Sequence, residues 1–183
     1  AKRFDRSCDR LQSAGVDLYD VAIAHADDIA PIYLHIVLSE AAAYHAATLE
    51  SHADDYTPNV RLRLEMGRYI LAEDYIRALH GRDVLTREVD EALTGCDGLL
   101  LPTLPIPAPT IGSETVRVSG SDASVRNITL RLTQLFNLTG HPAISIPCGC
   151  TPERWPVGAQ VVGHRHRTTA LLDTASAIEP YLS

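Results

Sequence analysis

The chain has 183 residues, 45% hydrophobic and 21% charged, with 16 basic against 23 acidic residues and a net charge of -7. That is apolar content enough for a sizeable core, with no clustered basic stretch to hold a phosphate backbone or an anionic membrane, so nucleic-acid and membrane partners are not expected. No run of about 18 apolar residues and no charged-then-apolar leader pattern occurs, which makes the cytoplasm the expected location.

Phe4, Cys8 and Leu11 form one apolar stripe and predict a short first helix, ended by Gly15. Val16, Leu18, Val21 and Ile23 alternate with polar residues and predict a half-buried strand. From Asp27 to about His52 the composition predicts a long helix with Pro31 in its first turn, where a missing N–H costs nothing. A second long helix is expected from Pro58 to a cap at Gly81, with Gly67 on the apolar face of Val60, Leu64, Leu71, Tyr75 and Leu79 so that another backbone can approach. Leu85, Val89, Leu93 and Cys96 predict one more helix.

The short apolar run 98–101, stopped by Pro102, reads as a strand buried on both faces. Four prolines in residues 102–112 exclude helix and sheet and predict a stiff extended loop. Residues 113–126 are polar and Ser-rich and read as a mobile loop; Asn127 to Leu138 returns to helical spacing. Strands are expected at Ala143–Ile146 and Val157–Val162, and Leu171, Leu172, Ala175 and Ile178 predict a closing helix. This alternation favours one α/β layer structure over residues 1–183, whether a whole domain or a fragment, rather than two separable domains.

The residues offer little self-contained chemistry. The four cysteines, Cys8, Cys96, Cys148 and Cys150, suit reduced core thiols better than a disulfide framework. Cys148-Gly-Cys150 with His164-Arg-His166 supplies metal-ligating side chains, but one intervening residue in each pair is atypical of zinc sites, and no metal or other cofactor is expected. No Gly-x-Ser-x-Gly elbow or glycine-rich phosphate cradle occurs. The only lysine among the 16 basic residues is Lys2. Arg61 and Arg63 open the second long helix, where arginines are more often solvated charges than ligands.

Three segments carry a further signal: Pro102-Thr103-x-Pro105-x-x-Ala108-Pro109-x-Ile111-Gly112; Thr133-x-x-Phe136-Asn137-Leu138-Thr139-Gly140-x-Pro142-Ala143-Ile144-Ser145-Ile146-Pro147-Cys148-Gly149; and Pro156-Val157-Gly158-x-Gln160-Val161-Val162-Gly163. In this order and at these intervals, with the closing helix, the segment near Val16 and the helix holding Glu40-Ala41, they resemble the C-terminal part of the amidase signature family over nearly the whole chain.

The resemblance implies an α/β fold in which part of a mixed β-sheet is covered by helices, without the N-terminal catalytic part. It also implies a parent enzyme that hydrolyses a small-molecule carboxamide by Ser-Ser-Lys chemistry. The glycine- and serine-rich signature and the interior lysine of that chemistry are absent, so no catalytic residue is assigned in this chain and the expected partner is the missing N-terminal segment. A surface that segment would cover is expected to be apolar and to promote self-association.

Substrate-binding positions carried over by the resemblance are Arg63, Leu130 and Thr133. In the tRNA-dependent amidotransferase branch the position of Leu130 holds an aspartate; an apolar side chain there leaves a substrate ammonium unmatched and suggests the less polar acyl pocket of general amidases. Two readings besides the amidase stay open: a catalytically silent module of the same fold, and the amidase-like subunit of such an amidotransferase. His141 and Trp155 depart from the family pattern, at positions expected in turns.

Overall fold

A computed structural model describes residues 2–118 and 120–182. Helix α1 (Lys2–Ser13) turns Leu11 fully inward, half-buries Phe4 and Cys8, and ends at Gly15, whose φ of 90° no L-residue adopts cheaply. Residues 16–23 then run without secondary structure, so the expected strand is not formed. Of the residues expected on its apolar side, Val16 and Leu18 pack on the core, whereas Val21 is exposed together with Tyr19. A strand also needs a neighbouring edge to bond to, and among the described residues no strand pairs with this stretch.

Helices follow: α2 (Ile29–Tyr44), α3 (Ala46–Ser51), α4 (Pro58–Gly67) and α5 (Ala72–Ala92). The first expected long helix is thus broken at His45. Its ring is held by the Tyr56 hydroxyl at 3.0 Å, edge-on to both Tyr44 and Tyr56. The second is broken after Gly67 and restarts at Ala72, then runs straight through Gly81, which is an interior residue rather than a cap. The Ile32 side chain packs beside Gly81, its Cδ1 2.6 Å from where an added Cβ would lie. Gly67 behaves as expected: an added Cβ would lie 2.0 Å from the carbonyl oxygen of Leu38 and 2.8 Å from Ala42 Cβ, so α4 crosses α2 backbone to backbone.

The remaining elements are β1 (Leu99–Pro102), β2 (Thr115–Val118), β3 (Ser121–Ser124), α6 (Val125–Leu130), α7 (Gln134–Thr139), β4 (Ala143–Cys150), β5 (Pro156–Val162) and α8 (Thr168–Leu182). The Ser-rich stretch forms a β2–β3 hairpin instead of a loop, with Ser119 at its turn outside the described residues. The expected helix at 127–138 is split by a turn at residues 131–133.

The chain groups into two units, Ala24–Arg87 and the residues on either side of it up to Ile23 and from Glu88. The first is wholly helical. The second holds a three-stranded sheet in the order β1-β5-β4, antiparallel at both pairings. Ile146, Cys148, Ala159 and Val161 point to one face and meet Leu11 of α1 and Leu171, Ala175 and Leu182 of α8, forming the core cluster. Ser7 Oγ and Arg10 Nη2 donate to the Leu182 carbonyl at 2.8 and 2.6 Å, which satisfies an orphan acceptor at the C-terminus of α8. The α/β class holds, with helices packed on a sheet. Among the described residues no helix is long and apolar enough to cross a membrane.

Candidate functional site

The three motif segments, dispersed in sequence, converge on the sheet face opposite the core. The Thr103 N–H donates to the Gly158 carbonyl at 2.9 Å, and the hydroxyls of Thr103 and Ser145 hydrogen-bond at 2.6 Å. A Cβ on Gly158 would lie 2.6 Å from Ser145 Oγ and 2.8 Å from Thr103 Oγ1, so only glycine lets these hydroxyls meet over β5. Two residues further along β5, Gln160 pairs with Ser145 on one side and Leu101 on the other. The Gln160 side chain is 5% exposed, and its Nε2 donates to the Leu132 carbonyl at 3.0 Å. That bond fixes the α6–α7 turn on the sheet.

Leu130 ends α6 just before this turn and Thr133 is its last residue, at the N-terminus of α7. The Thr133 N–H and hydroxyl both donate to the Leu130 carbonyl, at 3.1 and 3.4 Å, so the structure brings these two candidate residues together. Both are half-buried. Arg63 lies on α4 in the helical unit, half-buried. Its neighbour Arg61 is committed to Glu65 at 2.9 Å and Asp54 at 3.1 Å. Asn137 is exposed near the end of α7, and Gly140 closes that helix at φ 72°.

One polar cluster had no local signature. The side chain of His141 is fully buried between Thr139 Oγ1, 2.8 Å from Nδ1, and Asp90 Oδ1, 3.2 Å from Nε2. Asp90 is in turn gripped by Arg165 Nη2 at 2.6 Å and Nε at 3.2 Å. Burial holds the His141 pKa below its ordinary value, against the pull of Asp90. Partial burial raises Asp90, but the hydrogen bonds from Arg165 and His141 outweigh it and leave the carboxyl below the usual range. A neutral His141 therefore donates from Nε2 to Asp90 and accepts the Thr139 hydroxyl at Nδ1. The order hydroxyl, imidazole, carboxylate resembles a nucleophile and its base, but Thr139 and His141 are 5% and 4% exposed, so substrate cannot reach them. The cluster is structural and ties the last turn of α5 to α7 and to the turn after β5.

The residues weighed as metal ligands are dispersed. Cys148 lies in the core cluster, Cys150 is exposed, and the His164 Nε2–H donates to the Cys96 carbonyl at 3.0 Å. Among the described residues no group of three or more His, Cys, Asp or Glu side chains is arranged to hold a metal ion.

The architecture has solved counterparts. The whole chain superposes on 42% of a crystallised amidase with a TM-score of 0.93 at 32% identity. The Amidase family model matches residues 1–172, and the chain belongs to that family. An amidase of Pseudomonas putida is 37% identical over 77% of this chain and 30% of its own length. A glutamyl-tRNA(Gln) amidotransferase subunit of Akkermansia muciniphila is 30% identical over 92% of this chain and 41% of its own length. The chain thus spans well under half the length of the relatives it matches.

Proposed function

We propose that the chain is the substrate-side portion of an amidase that hydrolyses a small-molecule carboxamide to a carboxylate and ammonia or an amine. The observation that carries this reading is the convergence of Thr103, Ser145 and Gly158, with Gln160 anchoring the turn that presents Leu130 and Thr133. Such a rigid wall orders a substrate without itself being ordered on binding. Ser-Ser-Lys chemistry belongs to residues outside this chain, whose lone lysine is Lys2. There a lysine amine, acting through one serine, takes the proton of the nucleophilic serine; the acyl group passes to that serine, the amine leaves with a proton, and water releases the carboxylate. Arg63, Leu130 and Thr133 serve the acyl side, and no cofactor takes part. The parent protein works in the cytoplasm.

The purified 183 residues should not hydrolyse an amide faster than buffer does, whereas the chain lengthened by the residues its gene encodes ahead of Ala1 should. Turnover by the short chain, or a covalent adduct of an amide-mimicking inhibitor on one of its serines, overturns the reading. In the lengthened enzyme, Leu130→Asp should move kcat/KM towards substrates with an ammonium near the acyl group by about tenfold, the size of a 1.4 kcal/mol charge contact. Competition between matched neutral and ammonium-bearing amides measures it, and an unchanged ratio removes Leu130 from the pocket.

A further inference from the structure

The hydroxyls of Thr103 and Ser145, 2.6 Å apart on the open face of the sheet, satisfy each other only in part. Each hydroxyl has one proton, and a single proton fills the bond between them. The second proton finds no acceptor among the described residues, so the pair still offers one O–H and acceptor lone pairs to a ligand. The arrangement is held from three sides. Gly158 of β5 leaves the room in which the two oxygens meet, the Thr103 N–H is bonded to the Gly158 carbonyl, and Ser145 is in register with Gln160. Ser145 is exposed and Thr103 half-buried, where water satisfies the same groups and a bond between two hydroxyls adds little to stability.

The chemistry of the pair decides what it can hold. Among the described residues no charged side chain bonds to either hydroxyl, so an ion placed there would exchange its water for two neutral groups. An ammonium has donors only and leaves the free O–H without an acceptor; a carboxylate has acceptors only and leaves the lone pairs without a donor. A neutral carboxamide serves both. Its oxygen accepts the free O–H of one hydroxyl, and its N–H donates to the oxygen of the other. Position points the same way. Gly158 and Gln160 share one face of β5 about 7 Å apart, and the Gln160 amide holds the α6–α7 turn beside Leu130 and Thr133, so the pair adjoins the positions that serve the acyl group.

We propose that Thr103 and Ser145 together form a specificity-determining subsite for a second, uncharged carboxamide carried by the acyl group, so that the preferred substrates are diamides. This rests on the reading of the chain as the substrate-side portion of an amidase. The two hydroxyls take no part in bond cleavage, since neither has a base beside it to remove its proton. They fix the far end of the substrate against a rigid strand, which positions the scissile amide without ordering the protein.

The test uses the chain lengthened by the residues encoded ahead of Ala1. Succinamide, glutaramide and adipamide are each compared with the monoamide in which isopropyl, of similar shape, replaces one carboxamide. At one or more of these lengths kcat/KM should favour the diamide by about tenfold, the effect of two neutral hydrogen bonds. Thr103→Val and Ser145→Ala should each lower that ratio to about one, whereas Thr103→Ser, which keeps the hydroxyl, should hold it within about twofold of the wild type. Val keeps the shape of Thr103 and Ser145 is exposed, so both variants should fold. Calorimetric Kd values for the same pairs supply a readout that needs no turnover. Hydrolysis with a ratio that Thr103→Val and Ser145→Ala leave unchanged, or with no preference at any length, overturns the subsite and leaves the amidase reading intact. No hydrolysis, with a Kd ratio that falls in both variants, overturns the amidase reading and keeps the subsite. No hydrolysis and no Kd preference overturns both.

Discussion

Gly67→Ala is expected to cost the helical unit about 3 kcal/mol, the upper part of the range for overpacking a close-fitting contact. The new Cβ would meet the Leu38 carbonyl at 2.0 Å and Ala42 Cβ at 2.8 Å. The first is backbone and the second is fixed to it, so no rotamer relieves the clash; α4 must move off α2, and the buried Leu38, Ala42 and Leu64 lose contact as it does. Gly81→Ala is the control. There the Cβ meets only Ile32 Cδ1 at 2.6 Å and Cγ1 at 3.0 Å, the movable end of a flexible side chain. Replacing an interior helical glycine also gains about 1 kcal/mol of propensity, so the net change should stay within about 1 kcal/mol of zero. Urea unfolding followed by circular dichroism separates the two, and equal effects would show that α2 and α4 do not cross as closely as described.

The same pair of glycines shows how far the sequence could be read. Both sit in helical patterns, and Gly67 was legible as a close approach because it falls on the apolar stripe of Val60 and Leu64. Gly81 reads equally well as a cap, and what packs beside it in the continuous helix, the Ile32 side chain, comes from 49 positions earlier in the chain. The break at His45 has a like origin, since its ring is held by Tyr56 from beyond α3. In residues 16–23 the expected apolar side holds for Val16 and Leu18 and fails at exposed Val21, and periodicity says nothing about whether an edge is available.

The candidate site divides in the same way. The Pro-Thr, Ala-Ile-Ser-Ile-Pro and Pro-Val-Gly segments were visible as a family pattern, whereas the reason for them lies in contacts that sequence does not order. Thr103 meets Ser145 across 42 positions and Gln160 reaches Leu132 across 28. Arg63, Leu130 and Thr133 came only from the resemblance. The Asp90 cluster had no signal at all, with partners 51 and 75 positions away, and His141 stood out merely as a departure from the usual apolar residue.

That departure predicts an acid-sensitive stability. His141 is neutral in the fold and its pKa lies below the ordinary 6.5, so the unfolded chain takes up the proton first as pH falls. Between 6.5 and the lower folded value the unfolded state binds one proton more, and stability falls with decreasing pH by at most about 1.4 kcal/mol per pH unit. Asp90 acts in a separate window. Its pKa is depressed from the ordinary 3.8, so its contribution is complete above that value and is lost as pH drops through the folded value. His141→Leu removes the imidazole, leaves Asp90 clasped by Arg165, and lets the Thr139 hydroxyl turn its one proton from Nδ1 to the Leu135 carbonyl, 3.0 Å away. It should therefore be nearly neutral at about pH 8 and flatten the decline between about pH 6.5 and 5, keeping only the loss below about 4. Asp90→Ala does the opposite. It leaves a buried Nε2–H without an acceptor and Arg165 without its carboxylate, and should cost about 2–3 kcal/mol at about pH 8. In the double variant most of that cost returns, because no buried donor is left over. Urea midpoints of the four proteins at about pH 8, 6.5, 5 and 3.5 test the assignment; a His141→Leu curve parallel to the wild type from about pH 6.5 to 5 shows that another group carries the dependence.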